Sequence, residues 1–284
     1  MSIPLNRFIE RVKTKFINSS NYSRRYNYFR RHSLKKDEAK AVAKALLPNI
    51  NESRGTTWKT MKKSLDEIAQ AAGKNAGSAF KALSNPTIAE MFSKDPERVI
   101  RKFKEIAYAT GENAWLAFGA LSNNTVASLF AQHPDAVVKI AQATGEYAWA
   151  AFGALSNNTV ASLFEKYTGE FVQIAQATGE YAWLAFGAIS NYKVASLFEK
   201  YTGEFVQIAQ ATGKDAVSAF RSLSNDEVAF FFAQDPDVFI RIAKAACIYA
   251  DWAFKALPNP TIVGVFSTDP DQIIPDQIIK YLIK

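Results

Sequence analysis

The sequence predicts an all-α chain: a right-handed α-solenoid of about six three-helix repeats behind a helical N-terminal cap. Two observations carry this. Residues 140–173 and 174–207 align without a gap and differ only at Ala150/Leu184, Leu155/Ile189, Asn158/Tyr192 and Thr159/Lys193. One phenylalanine then recurs as Phe92, Phe130, Phe164, Phe198, Phe232 and Phe266, in steps of 38, 34, 34, 34 and 34 residues. A fixed period of this length marks an array of stacked units, each too small to bury its own apolar face alone.

Three domains are expected: a basic arm with a degenerate leading repeat over residues 1–66, repeats over 67–266 and a C-terminal capping helix over 267–284. The arm opens with Leu5, Phe8, Ile9, Val12 and Phe16 at helical spacing and Arg7, Arg11, Lys13 and Lys15 mostly off that stripe, a basic amphipathic helix. Next, Tyr22–His32 interleaves four arginines with four aromatics. Arginine forks pair with phosphates and aromatic faces stack on bases. Arg24, Arg25, Tyr26, Tyr28, Phe29, Arg30 and Arg31 are therefore the candidate contacts to RNA, DNA or an anionic surface. The same stretch also suits a cap on the open end of the array, its arginines simply solvated. Ser33 is placed to cap a helix running to about Leu47, and 51–57 is the expected loose join.

Each copy breaks twice, which defines three short helices. The first starts at Ser156-Asn157 and buries Val160, Leu163, Phe164 and Tyr167, an i, i+3, i+4, i+7 pattern. The second starts at Thr168-Gly169 and buries Phe171, Ile174 and Ala175. Gly179 closes it, where a left-handed residue is expected. The third runs from Glu180 to Ile189 and buries Ala182, Ala185, Phe186 and Ile189. The 38-residue first step implies one extra helical turn near Arg101–Lys104. At the far end, Pro270–Ile274 is repeated at once as Pro275–Ile279, the expected cap.

Charge divides the chain. Residues 1–66 carry 16 Lys/Arg and 5 Asp/Glu, a net +11, and residues 67–284 carry 18 and 22, a net −4. From Glu105 to Tyr192 there are two basic residues against seven acids. Phosphate contacts need lysine or arginine, so the central array is a poor nucleic-acid groove and suits a protein or peptide better. No apolar run approaches 18 residues, and the single Cys247 cannot form an internal disulfide. A cytoplasmic location is expected, although the Arg-rich, acid-poor start also resembles a mitochondrial presequence.

Little here suggests catalysis. Asp95-Pro96-Glu97, His133-Pro134-Asp135, Asp235-Pro236-Asp237 and Asp269-Pro270-Asp271 share one register. A capping acid, a proline at the first helical position and an acid in the first turn are what a helix start requires. The Asn-x-Ser/Thr triplets at Asn123 and Asn157 also read as caps. There is no His/Cys cluster, no phosphate-binding glycine loop and no nucleophile motif, so no metal, no cofactor and no enzyme are expected.

The sharper feature is a tryptophan row. Trp115, Trp149 and Trp183 occupy one position of the third helix, each four residues before Gly119, Gly153 or Gly187. Other copies carry Lys81, Arg221 and Lys255 at the glycine position and Gly77, Val217 and Asp251 at the tryptophan position. A position that accepts lysine and arginine is wet, and residues four apart share a face. One reading of the row is a docking strip for an apolar or extended partner at the edge of that face. In the competing reading each indole covers a neighbour's glycine and cements the stack.

Trp183-Leu-Ala-Phe186-Gly187 resembles the opening of a tetratricopeptide repeat, which shares the period. Glu199 and Gly203 then depart from that family's second helix. Breaks at both Thr202 and Thr212 exclude two long paired helices. Three short helices per unit look more like armadillo, HEAT or Pumilio-type solenoids, a resemblance of architecture over residues 67–284 that carries over no functional residue.

The function expected from these features is a non-enzymatic binding or scaffold protein, with a protein partner on the array and RNA, DNA or an anionic surface on the arm. One alternative is an assembly protein whose arm docks on another subunit. Another is a HEAT-like nucleic-acid enzyme resembling the alkylpurine DNA glycosylases.

Overall fold

The computed structural model describes residues 26–28, 30–32, 39, 42–43, 58–246 and 250–259. The helix expected at 5–16, Arg24, Arg25, Phe29, the Ser33 cap, the join at 51–57, Cys247, Phe266 and the segment 267–284 lie outside the described residues. Every regular element among the described residues is a helix. The chain forms two compact units, residues 1–134 and 135–284.

In the first unit α1 (Trp58–Ala72), α2 (Ala76–Ala82), α3 (Pro86–Lys94), α4 (Pro96–Thr110), α5 (Ala114–Leu121) and α6 (Asn124–Gln132) follow in order. Like packs on like: α1 on α4, α2 on α5 and α3 on α6. The extra turn is real. α4 has 15 residues where the corresponding α10 and α13 have 11, and α1, its neighbour, also has 15. The arm boundary expected at residue 66 falls inside α1, because its apolar stripe of Leu65, Ile68 and Ala72 continues through that point.

Apart from Pro134, the first residue of α7, the second unit opens with α7 (Pro134–Thr144) and α8 (Ala148–Leu155). The next copy supplies α9 (Asn158–Lys166), α10 (Thr168–Thr178) and α11 (Ala182–Ile189). The following one supplies α12 (Tyr192–Lys200), α13 (Thr202–Thr212) and α14 (Ala216–Ser222). Then come α15 (Asp226–Gln234), α16 (Pro236–Ala246) and α17 (Ala250–Ala256). Again α9 packs on α12, α10 on α13 and α11 on α14, so each helix meets its counterpart one copy on. These helices are too short to persist alone in water and gain their stability from this packing.

Local chemistry sets each boundary. Asn157 Oδ1 accepts from the backbone N–H of Thr159 at 3.0 Å and of Val160 at 3.3 Å, and Asn123 does the same for α6. Asp95 accepts from the Arg98 N–H at 3.0 Å, with Pro96 in the first turn. At the end of α10 the buried Thr178 hydroxyl donates to the Ile174 carbonyl at 2.7 Å. Gly179 follows with φ 58° and ψ −131°. The positive φ matches expectation, but ψ is not that of a left-handed helical residue. It is the first central position of a type II′ turn, and it leads into a short 3-10 turn over Gly179–Tyr181 rather than ending the chain's helical course.

The core is a phenylalanine ladder. Phe164, Phe171 and Phe186, one from each helix of a copy, are fully buried, and Phe171 lies 5.6 Å from Phe164 and 5.0 Å from Phe186 by ring centroids. Phe171 also meets Phe198 of the next copy at 5.3 Å, and Phe198 meets Phe205 at 5.3 Å. The residue that sets the sequence register is therefore the one that joins copy to copy. Tyr167, expected among the buried residues, caps α9 at half-exposure. Its ring packs on Phe198 at 5.8 Å, and its hydroxyl donates to the Glu199 carbonyl at 3.1 Å.

Candidate binding face

The third helices α5, α8 and α11 are wholly apolar, so the face each turns to solvent cannot be polar by composition. Ala148, Ala151, Phe152 and Leu155 of α8 point inward and are fully buried, which leaves Trp149 and Gly153 outside. In α11 the same geometry leaves Trp183 and Gly187 outside, and α8 and α11 pack side by side. In the first unit α5 presents Trp115 and Gly119. The three indoles are 50%, 40% and 37% exposed in chain order. An ideal Cβ built on Gly119, Gly153 or Gly187 meets nothing within 4 Å. No described side chain occupies the space where a Cβ on these glycines would stand.

The outer copies differ from the central ones at these registers. Val217, at the tryptophan register, is buried, because its short side chain does not reach past its neighbours. Lys255 does have a counter-charge: its Nζ lies 2.8 Å from Asp251, one turn earlier. Arg221, at the glycine register of α14, is exposed and has no ion-pair partner among the described residues. It shares an open groove of about 360 Å³ with Trp183, Leu184, Gly187, Asn191 and Val194.

Sequence reasoning missed other exposed aromatics. Tyr192 is 74% and Phe230 67% exposed. Tyr192 had a signal, since it is one of the four differences between otherwise identical copies. Beside it Lys193 pairs with Asp226 of the next copy.

No match to this chain was found among family models, curated proteins or solved structures. Its own side chains therefore carry the functional argument. Among the described residues no group of three or more His, Cys, Asp or Glu is placed to hold a metal ion. No helix among them is long and apolar enough to cross a membrane.

In the arm, the residues expected to contact nucleic acid divide into two sets. Arg30 and Arg31 are exposed and Tyr26 is half-buried. Tyr28 is not available for stacking on a base. It is buried, its ring lies 5.9 Å from Phe80, and its hydroxyl donates to Asp66 Oδ1 at 2.8 Å. Lys62 Nζ donates to the other carboxylate oxygen at 2.7 Å, and the His32 ring packs edge-on against Phe80 at 5.2 Å. An aromatic of the arm is thus an anchor within the first unit, held by Asp66 of α1 and packed on Phe80 of α2.

This anchor is sensitive to acid. Burial raises the Tyr28 pKa, and the Asp66 carboxylate raises it further. Burial pushes His32 below its usual value, which outweighs the attraction of Asp66. For Asp66 burial acts upward, yet the hydrogen bonds from Lys62 and Tyr28 and the Lys62 charge prevail and lower it. A depressed histidine binds its proton less readily in the folded state. Its contribution is therefore complete above about pH 6.5 and lost as pH falls through the folded value. The Asp66 contribution is lost at still lower pH, below the usual carboxylate range. We expect urea denaturation to show a loss of stability between pH 7 and pH 5 that is smaller in His32→Gln. Equal pH dependence in both chains would mean that His32 is not seated on Phe80.

Proposed function

We propose that this chain is a non-enzymatic binding protein, an α-solenoid that holds a protein or peptide partner on the face carrying Trp149 and Trp183. The observation that supports this most directly is the pairing of half-exposed indoles with glycines whose open side no described residue fills. A glycine within a helix costs about 1 kcal/mol relative to alanine, and here alanine would meet no obstacle. Leaving the backbone bare beside a large aromatic gives close approach to something outside the fold. Aromatic side chains of this kind dominate binding energy at protein interfaces.

Selection of a displayed random-peptide library on the intact chain tests the reading. Enriched peptides are expected to lose about tenfold or more in affinity for the Trp149→Ser/Trp183→Ser variant, as for interface anchors. Its helical circular dichroism should be unchanged. Clones that bind both chains equally place the partner elsewhere.

We further propose that the arm contacts RNA, DNA or an anionic surface. Its net +11 and the exposure of Arg30 and Arg31, held at the surface by the Tyr28 anchor, support this. Titration with single-stranded RNA at several salt concentrations checks it. Each phosphate contact contributes about 0.7 to the logarithmic salt slope, so Arg24→Gln/Arg25→Gln/Arg31→Gln should flatten the slope by about 2. An unchanged slope removes these arginines from the interface.

A further inference from the structure

The chemistry of the groove beside Trp183 specifies its occupant more narrowly. The accessible lining of the groove is apolar at Trp183, Leu184 and the bare backbone of Gly187, with Asn191 and Ser224 as uncharged polar members. Arg221 of the next copy is the one charged residue in the lining. Arg221 has no carboxylate within 4 Å among the described residues; Lys139, Lys200, Lys214 and Lys244 of this unit share that property, but only Arg221 lines the groove. An exposed guanidinium with five donors beside an apolar slot presents a fork for a carboxylate. The array around it is net negative, but fields from exposed charges fade over about 8 Å at physiological salt, so the local cation decides.

The twin copies point to the same place. They are identical except at four positions, and one of these, Leu184, lies in this lining. At the Leu184 position the preceding copy has the smaller Ala150, and in place of Arg221 it meets Gly187. The face is therefore apolar at Trp149 and Gly153 and becomes apolar plus cationic one copy later.

We infer that the groove takes an extended acidic peptide segment, seated with an apolar side chain against Trp183 and a following carboxylate on Arg221. This rests on the tryptophan face being the partner site. Packed helices lie about 8–10 Å apart, and an extended left-handed polyproline-type segment advances about 9 Å in three residues. Apolar side chains three residues apart then reach Trp149 and Trp183, and the acids lie at the end toward Arg221. At about 360 Å³ the open groove admits a few side chains of such a segment rather than a folded domain.

The test uses labelled synthetic peptides with the core Leu-Pro-Ser-Leu-Pro-Glu-Asp flanked by Gly and Ser. Companions carry Gln-Asn or Lys-Lys in place of Glu-Asp. Fluorescence anisotropy on the full chain should show the acidic peptide binding about tenfold tighter than the Gln-Asn peptide, with the advantage shrinking at high salt. Arg221→Gln should erase the difference, and Arg221→Glu should favour the Lys-Lys peptide. Trp183→Ser should weaken all three. Arg221 is exposed, so its variants leave the fold intact even if Trp183→Ser does not. Equal binding of the acidic and Gln-Asn peptides that is still lost in Trp183→Ser overturns the inference and leaves the tryptophan-face reading standing. If none of the peptides binds at about 1 mM, the weak end of specific association, the inference fails. If library-selected peptides also ignore Trp183, both readings fail.

Discussion

Phe198→Ala is expected to lower the stability of the second unit by about 3–5 kcal/mol. The side chain is fully buried and lies between copies, with Tyr167 and Phe171 on one side and Phe205 of its own copy on the other. Truncation removes the transfer free energy of a whole ring and leaves a cavity that short, mutually braced helices cannot close. Natural domains hold only about 5–15 kcal/mol in total, so this is a large fraction of what is available. In a stacked array stability is a sum of unit and interface contributions, and Phe198 contributes to both at once. Urea denaturation followed by circular dichroism measures it. Ser196→Ala, two residues away on the exposed side of α12, is the control and should fall within about 0.5 kcal/mol of the parent. A Phe198→Ala loss below about 1 kcal/mol would show that the copies do not rely on one another through this residue.

Substitution of two glycines by alanine is expected to have opposite signs. Gly179 has φ 58° and ψ −131°, a region that side chains with a Cβ avoid, and the same positive φ recurs at Gly73, Gly111, Gly145 and Gly213. Gly179→Ala should cost about 1–3 kcal/mol through backbone strain, even though its Cβ would come no closer than 4.0 Å to another atom. Gly153 lies within α8 with open space around it, so Gly153→Ala should stabilise by about 0.5–1 kcal/mol through helix propensity. The same denaturation experiment reads both. If Gly153→Ala destabilises, that glycine is needed for internal packing, and the case for an open floor beside the indoles weakens with it.

Much of the scaffold is legible in the chain itself. The thirty-four-residue spacing of one phenylalanine fixes the copies, and the asparagine, Asp-Pro and Thr-Gly signals fix their helices. Four inserted residues appear as the additional turn of α4. All of these are properties of backbone geometry and of apolar spacing along a single helix, which are local. The arm was harder to read. An alternation of arginine and aromatic residues is the same string whether Tyr28 stacks on a base or on Phe80.

The sequence determined by itself that the protein is built from repeated, all-helical copies with a cationic leader. Its periodicity and charge are written residue by residue. Only the tertiary structure decided which side chains remain uncovered: that Trp183 is partly bare, that Val217 at the same register is not, and that Arg221 of the following copy lines one groove with Leu184 and has no carboxylate partner among the described residues. Exposure and pairing are set by whichever neighbour arrives from another helix, and no local signal records that arrival.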